Sequence, residues 1–367
     1  MDGLGPDYYL EAKQRGVSLP TLTALMRRGV YATGMQSIYP SITYPAHASM
    51  VTGVVPRKHG IYSNAYYFDG QRQPVISGKA YLVAPIWRAM RQAGLHTGSV
   101  FWPVTAEEPI DWCLPEAWWD ADKGHDEIRL RKEAAISTPG LLDSLRHHLG
   151  PTLDHYFESD TVKTDAAIYI LKKYRPNLLL LHYSHLDYIQ HVYGPFTPRA
   201  FETLQMQDTQ IGRLIEAAKQ AHIFKQTVFM IVSDHGHAQI RWLLHPGPLL
   251  VRAGLIRLDS AGQPVEWQAM VNPTGGSCAI ILKNPADQHL RRKVVNVFRH
   301  APAELVRGIE RQFSGQQLDS LGIDPHAVLV LEAKAGYAFG GHLQGKLLEA
   351  AQGYHSTHGY LPDKPQM

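Results

Sequence analysis

Cysteine is scarce: Cys113 and Cys278 are the only two in 367 residues. A disulfide framework and a thiolate zinc finger are therefore excluded, while a single bridge stays arithmetically open. Long apolar runs are missing too. The longest, 178–181 and 228–232, fall far short of the roughly 20 residues that cross a bilayer as a helix. No charge of one sign dominates, because 36 Lys+Arg face 33 Asp+Glu for a formal net charge of +3. That balance points to neither nucleic acid nor an anionic membrane surface as a partner. No G-x-S-x-G is present, which excludes a serine hydrolase of the nucleophile-elbow type. Neither the G-x-G-x-x-G of dinucleotide-binding folds nor the P-loop glycine pattern occurs. The sequence shows no internal repeat and no low-complexity tract, and no signal-peptide pattern precedes Asp2.

What remains is an ordinary globular composition, 44% hydrophobic and 19% charged, which argues against a disordered chain. Its 20 histidines are groups that titrate near neutrality. At about 150 residues per domain, the length fits two to three domains or one large domain with an insertion. Apolar runs of strand length alternate with amphipathic stretches, the pattern of a mostly parallel sheet flanked by helices. Strands are predicted at 98–101, 178–182 and 228–233, and helices at 19–28, 46–52, 161–174 and 201–220. In the last of these, Phe201, Leu204, Asp208, Ile211, Leu214 and Ile215 share a face, a lone carboxylate among apolar neighbours. From about Arg241 to Gln352, short strand-like runs at 279–282 and 328–331 flank a basic helix at 288–298. The expected architecture is α/β: a catalytic core of 1–240 and 353–367, with 241–352 as a smaller α+β insertion.

Carboxylates and imidazoles gather where the apolar runs end. The run 228–232 leads into Ser233-Asp234-His235-Gly236, setting an acid and an imidazole at the carboxyl end of a strand. That edge of an open α/β sheet is where ligands bind. The run 178–181 leads likewise to Asp187 and His191. Four apart on a helix, their side chains leave one face and can hold one ion. His358 precedes Gly359, and Asp2 precedes Gly3. Singly, each has a plain alternative: a polar strand terminus, a solvated helix face, a loop histidine. Together, Asp2, Asp187, Asp234, His191, His235 and His358 supply three carboxylates and three imidazoles. Such a set suits two Zn²⁺-type ions, which roughly 3.5–4 Å apart clamp both oxygens of an in-line phosphoryl displacement. Thr43 stands between Pro40 and Pro45, ahead of the helix predicted at 46–52. Its hydroxyl is either a helix cap or a nucleophile beside N–H groups that favour phosphate oxygens.

These stretches, with Thr52-Gly53, Pro56, His59-Gly60-Ile61 and His358-Gly359-Tyr360, resemble the type I phosphodiesterase/nucleotide pyrophosphatase family of the alkaline phosphatase superfamily. They follow the family's order from residue 2 to residue 360. The resemblance implies an alkaline-phosphatase-like core and a hydrolase of phosphodiester or pyrophosphate bonds. It implies two zinc ions, or other divalent metals in their place. Asp187, His191 and His358 would hold one; Asp2, Asp234 and His235 would hold the other, with Thr43 bound to it. Thr43 would attack phosphorus to give a phospho-threonine intermediate, and two in-line steps imply net retention. Asn64, by itself a turn residue, would donate to a non-bridging phosphate oxygen. Tyr44 matches an aromatic position that stacks on a base or aryl leaving group, plain packing being its alternative. The implied partner is a small phosphodiester or nucleotide.

The sequence also departs from the family. An apolar strand normally leads into the first aspartate and a further strand follows the last motif, whereas here Met1 alone precedes Asp2 and Met367 closes the sequence. The expectation is a truncated or fragmentary sequence, with Asp2 short of the backbone that positions it. Any export signal, common in the family, then lies out of view, and the compartment stays open. His237 stands where the family often has methionine, with little effect expected. A phosphonoacetate-type C–P hydrolase uses the same site, but needs cationic groups for a small carboxylate that no motif identifies here. An inactive metal-binding fragment is the third reading; the filled catalytic positions argue against it.

Overall fold

The computed structural model describes residues 1–68, 71–118 and 125–364. The first regular helix of length, α1, spans Pro20–Arg28, and its N-cap Leu19 has no side-chain acceptor to offer. The acceptor comes from elsewhere: Asp208 takes the Leu22 N–H at 2.7 Å and the Thr21 N–H at 3.0 Å. The lone carboxylate on the apolar face of 201–220 is thus the tertiary cap of another helix. Helix α2 spans Thr43–Thr52, three residues earlier than its predicted start. Pro45 reads as a barrier, yet the first-turn N–H groups have no intrahelical partner, so proline is tolerated there.

Strands β1 (Thr97–Trp102) and β2 (Trp112–Pro115) are followed by α3 (Asp160–Tyr174), β3 (Leu178–Leu181), α4 (His185–Tyr193) and α5 (Pro198–Gln220). The three strands pair in parallel in the order β2-β1-β3. Val100, Leu114, Ala166, Ala167 and Ile170 close one apolar core between β1, β2 and α3. The small alanines of α3 let helix and sheet approach closely.

The strand predicted at 228–233 does not form. Among the described residues no segment pairs with it, and Val228 and Met230 are 88% and 79% exposed. A β-strand needs a neighbour for its N–H and C=O groups, so an apolar run without one stays irregular. Its carboxyl end is tied: the Met1 ammonium donates to the Val232 carbonyl at 2.8 Å, and the Leu4 N–H to Ser233 Oγ at 2.9 Å.

Next comes β4 (Ala238–Leu244), then a four-stranded antiparallel sheet. It consists of β5 (Ala269–Pro273), β6 (Ser277–Leu282), β7 (Ile309–Ser314) and β8 (Ala327–Ala333) in the order β7-β8-β6-β5. Helix α6 (Gln288–Arg299) buries Leu290, Val294 and Phe298, one stripe at spacing four, in the core of this sheet. The cysteines are both free and buried in different clusters, so the open bridge is absent. Strands β9 (Gly336–Phe339), β10 (Leu348–Ala350) and β11 (Ser356–Thr357) all pair with β4. The register Thr357↔Ala238 carries His358 to the Asp234-His235 turn. Among the described residues no helix is long and apolar enough to cross a membrane.

Candidate active site

Five separated segments converge at one site. His235 Nε2 lies 3.3 Å from Asp2 Oδ1 and 3.3 Å from Asp234 Oδ2, and the Thr43 hydroxyl is 3.4 Å from the same nitrogen. Beside them, Asp187 has His191 Nε2 at 3.5 Å and His358 Nε2 at 3.6 Å. The two groups meet where His235 stacks on His358, ring centres 3.7 Å apart. Asp187 and His191 do sit on one helix, α4. All six expected ligands and Thr43 belong to this constellation.

Local structure explains each placement. Asp2 donates its N–H to the Tyr183 carbonyl at 2.8 Å, just beyond β3, and the Gly3 N–H binds Asp234 Oδ1 at 3.1 Å. These bonds supply the backbone anchoring that the sequence alone left Asp2 without. Gly359 has φ +86°, and a Cβ there would collide with the Thr274 carbonyl, so the turn after His358 requires glycine. Thr43 opens α2 behind the N-cap Ile42, which makes no side-chain cap. The threonine hydroxyl therefore faces His235 instead of capping the helix.

The ring tautomers test whether a cation fits. His235 donates from Nδ1 to the Gly236 carbonyl at 3.1 Å, His191 to Ser356 at 2.8 Å and His358 to Ser41 at 3.2 Å. Each Nε2 is then a bare lone pair aimed at carboxylate oxygens. Asp2 Oδ1 and Asp234 Oδ2 are buried with no hydrogen-bond donor. Lone pairs converging on lone pairs in a buried site repel one another unless a cation sits among them. The residues fit divalent ions on the side of Asp2, Asp234 and His235 and on the side of Asp187.

The protonation of Asp187 and Asp234 agrees with that fit, and that of Asp2 runs against it. Burial alone would raise Asp187 and Asp234, yet both are held well below the usual carboxylate range. His191, His237 and His358 do this for Asp187; His235, His47 and His182 do it for Asp234. Burial, then the neighbouring Asp234 and Asp187, pushes Asp2 up. Burial pushes His358 down, helped by His235, and takes His237 to about 4. Neutral imidazoles are the form that ligates a metal.

Several residues that no spacing signalled support this layer. His182 spans Asp2 Oδ2 at 3.2 Å and Glu116 Oε2 at 2.7 Å. Buried Asp160 accepts from the Ser184 and His185 N–H groups, both at 3.2 Å, and so fixes the start of α4. Gln207 and Lys163 also donate to it. His47 binds the Thr43 carbonyl at 2.8 Å. His237, expected to matter little, lies 2.7 Å from Asp187 Oδ1. The one visible hint was His182 ending an apolar run; the other partners are far apart in sequence. Asn64 accepts the Tyr44 N–H at 2.9 Å, which turns its amide NH₂ away from that contact. Tyr44 itself is buried with Ala48, Val51, Ile61 and Trp87, a packing role in this structure.

A parallel sheet flanked by helices, with acids and imidazoles gathered at the strand ends, defines an α/β protein of the alkaline-phosphatase-like class. A family model for type I phosphodiesterase / nucleotide pyrophosphatase matches residues 1–361, and the chain belongs to that family. It is 30% identical over 244 residues to an uncharacterized pyrophosphatase/phosphodiesterase of Schizosaccharomyces pombe, a match covering 65% of this chain and 44% of that protein. It is 26% identical over 231 residues to human ectonucleotide pyrophosphatase/phosphodiesterase family member 1, covering 61% of this chain and 22% of that one. The chain thus matches less than half the length of either relative. In fold it is similar to murine ectonucleotide pyrophosphatase/phosphodiesterase 5, solved in complex with AMP. That likeness has a TM-score of 0.66 at 18% identity, covering 100% of this chain and 84% of the other.

Proposed function

We propose that the chain hydrolyses phosphodiester or pyrophosphate bonds of a nucleotide or related substrate, through a covalent phospho-threonine on Thr43. The observation that carries this reading is the Thr43 hydroxyl, 3.4 Å from His235 Nε2, beside two buried carboxylate oxygens that lack donors. Two Zn²⁺ or similar ions would be held by Asp2, Asp234 and His235 and by Asp187, His191 and His358. Bound there, such ions would lower the pKa of a hydroxyl and neutralise charge on the transferring phosphoryl group.

The chain's own groups do the rest. Thr43 stands in the first turn of α2, where the helix dipole favours phosphate oxygens. Its oxygen bonds to phosphorus as the bond to the alcohol or nucleotide leaving group breaks. The Asn64 amide, its carbonyl already engaged by Tyr44, donates to a non-bridging oxygen. Water then attacks the phospho-threonine in line and Thr43 leaves, so the configuration at phosphorus is retained overall. The Tyr44 ring supports this as packing beneath the helix. We assign 241–352 to an insertion, and 1–240 with 353–367 to the catalytic core.

A substrate panel tests the reading: bis-p-nitrophenyl phosphate, an aryl ester of a nucleoside monophosphate, and phosphonoacetate. Turnover of the first two and not the third is expected. Release of phosphate from phosphonoacetate alone would move the assignment to C–P bond cleavage. No turnover by zinc-loaded protein would leave a metal-binding fragment.

A further inference from the structure

A second type of donor cluster lies at the far end of β4. His245 follows that strand directly, Glu349 lies on β10, and His342 sits in the turn after β9. These strands flank β4 on its two sides, with Phe339↔Leu244 and Leu348↔Leu244 in register. Three ligands therefore arrive from three adjacent segments. His245 Nε2 is 2.9 Å from Glu349 Oε1, and His342 Nδ1 is 3.6 Å from that same oxygen. The donor atoms of all three lie within 4.8 Å of one another.

We propose that His245, His342 and Glu349 form a third divalent-cation site, of the Zn²⁺ type, that fastens 340–349 to β4. Around a tetrahedral ion with bonds near 2.1 Å, donor atoms stand roughly 3.4 Å apart. The two distances above bracket that value. The longer of them also falls within the 3.3–3.6 Å spread of the candidate catalytic cluster. Two imidazoles and one carboxylate are a ligand set zinc accepts, leaving a further position for water.

The scaffold is built around this cluster. The His245 and His342 rings stack at 4.3 Å, inclined by only 10°, so both edges are presented to the same carboxylate. Gly340 packs on His245 so closely that a Cβ there would overlap the ring. His245 is buried; its Nδ1 accepts the His342 N–H at 3.4 Å, and its Nε2 hydrogen-bonds Glu349 Oε1 at 2.9 Å. An ion bound here would take the place of the proton shared between His245 Nε2 and Glu349 Oε1. His342 is largely exposed, which gives an ion a route in. His237 and His245 bracket the seven residues of β4. At about 3.3 Å per residue that puts the two clusters roughly 26 Å apart, too far to share an ion.

Zinc content of the full chain tests the site. Wild type, His342→Ala and Glu349→Gln are equilibrated with micromolar ZnCl₂, desalted, and assayed for zinc per chain, with far-UV circular dichroism to verify folding. The exposed His289→Ala serves as a control. We expect both cluster variants to hold one zinc fewer than wild type while His289→Ala keeps the full count. Equal counts in wild type and both variants overturn the proposal. So does an equal loss in His289→Ala, which would mark scattered surface binding. A missing catalytic centre lowers every count alike, so its failure is distinguishable from failure of this site.

Discussion

His237 Nε2 lies 2.7 Å from Asp187 Oδ1, while His237 Nδ1 lies 3.0 Å from the Ser356 hydroxyl. Ser356 in turn receives His191 Nδ1 on its carbonyl and donates its hydroxyl to Gln190. One buried imidazole thus ties the carboxylate of α4 to β11, the strand that delivers His358. Removing it should free Asp187 to rotate away from the ion. For His237→Ala we expect metal affinity to fall about 10–100-fold. A competition titration against a chromophoric chelator measures this, and wild-type affinity would show His237 to be a bystander.

Thr43→Ala removes the group assigned to bond phosphorus and leaves every assigned carboxylate and imidazole ligand in place. Turnover should drop by on the order of 10⁴–10⁶, with metal content unchanged. Steady-state hydrolysis of an aryl diester and metal analysis on the same sample decide it. A variant that keeps wild-type kcat refutes covalent catalysis at this position.

His358 belongs to the Asp187 side and stacks on the ring of the other side. In His358→Ala, chelator removal should become biphasic, with one equivalent leaving well before the other. A single phase for both ions would mean that the two sides are not separate.

Asp208 accepts two buried first-turn N–H groups of α1. Asp208→Ala leaves both without a partner and should cost about 1–3 kcal/mol. Asp208→Asn keeps an acceptor and should cost less. Urea midpoints compare them; identical midpoints for the wild type and the alanine variant would refute the cap.

His59 accepts the Ile61 N–H on Nδ1, and burial takes its pKa from the ordinary 6.5 down to about 4. The unfolded chain therefore takes up this proton at higher pH than the folded one. The stabilising contribution is complete above about pH 6.5 and is lost as pH falls from there toward 4. The loss should be about 2 kcal/mol once solvent screening is allowed for. Unfolding curves of wild type and His59→Gln at pH 7 and pH 4.5 should differ in slope with pH; parallel behaviour would exclude His59 as a source.

The helices at 161–174 and 201–220 were legible because their apolar spacing is local, and the observed α3 and α5 differ by a few residues at their starts. The run 228–233 misled for the opposite reason. Its composition is that of a strand, but a strand exists only through a neighbour's hydrogen bonds, and pairing is not written in the run itself. Pro45 likewise hid the true start of α2, since tolerance of proline depends on which turn it occupies.

Residue type and order by themselves determined which acids, imidazoles and hydroxyl were available, and that Asp187 and Asp234 follow apolar runs. Chemistry of this kind is carried by single side chains and survives reading one letter at a time. Tertiary structure alone decided that Asp208 caps α1, that Glu116 reaches Asp2 through His182, and that His237 holds Asp187. Each of these joins residues 50 or more positions apart, and only the closing of the chain on itself sets such distances.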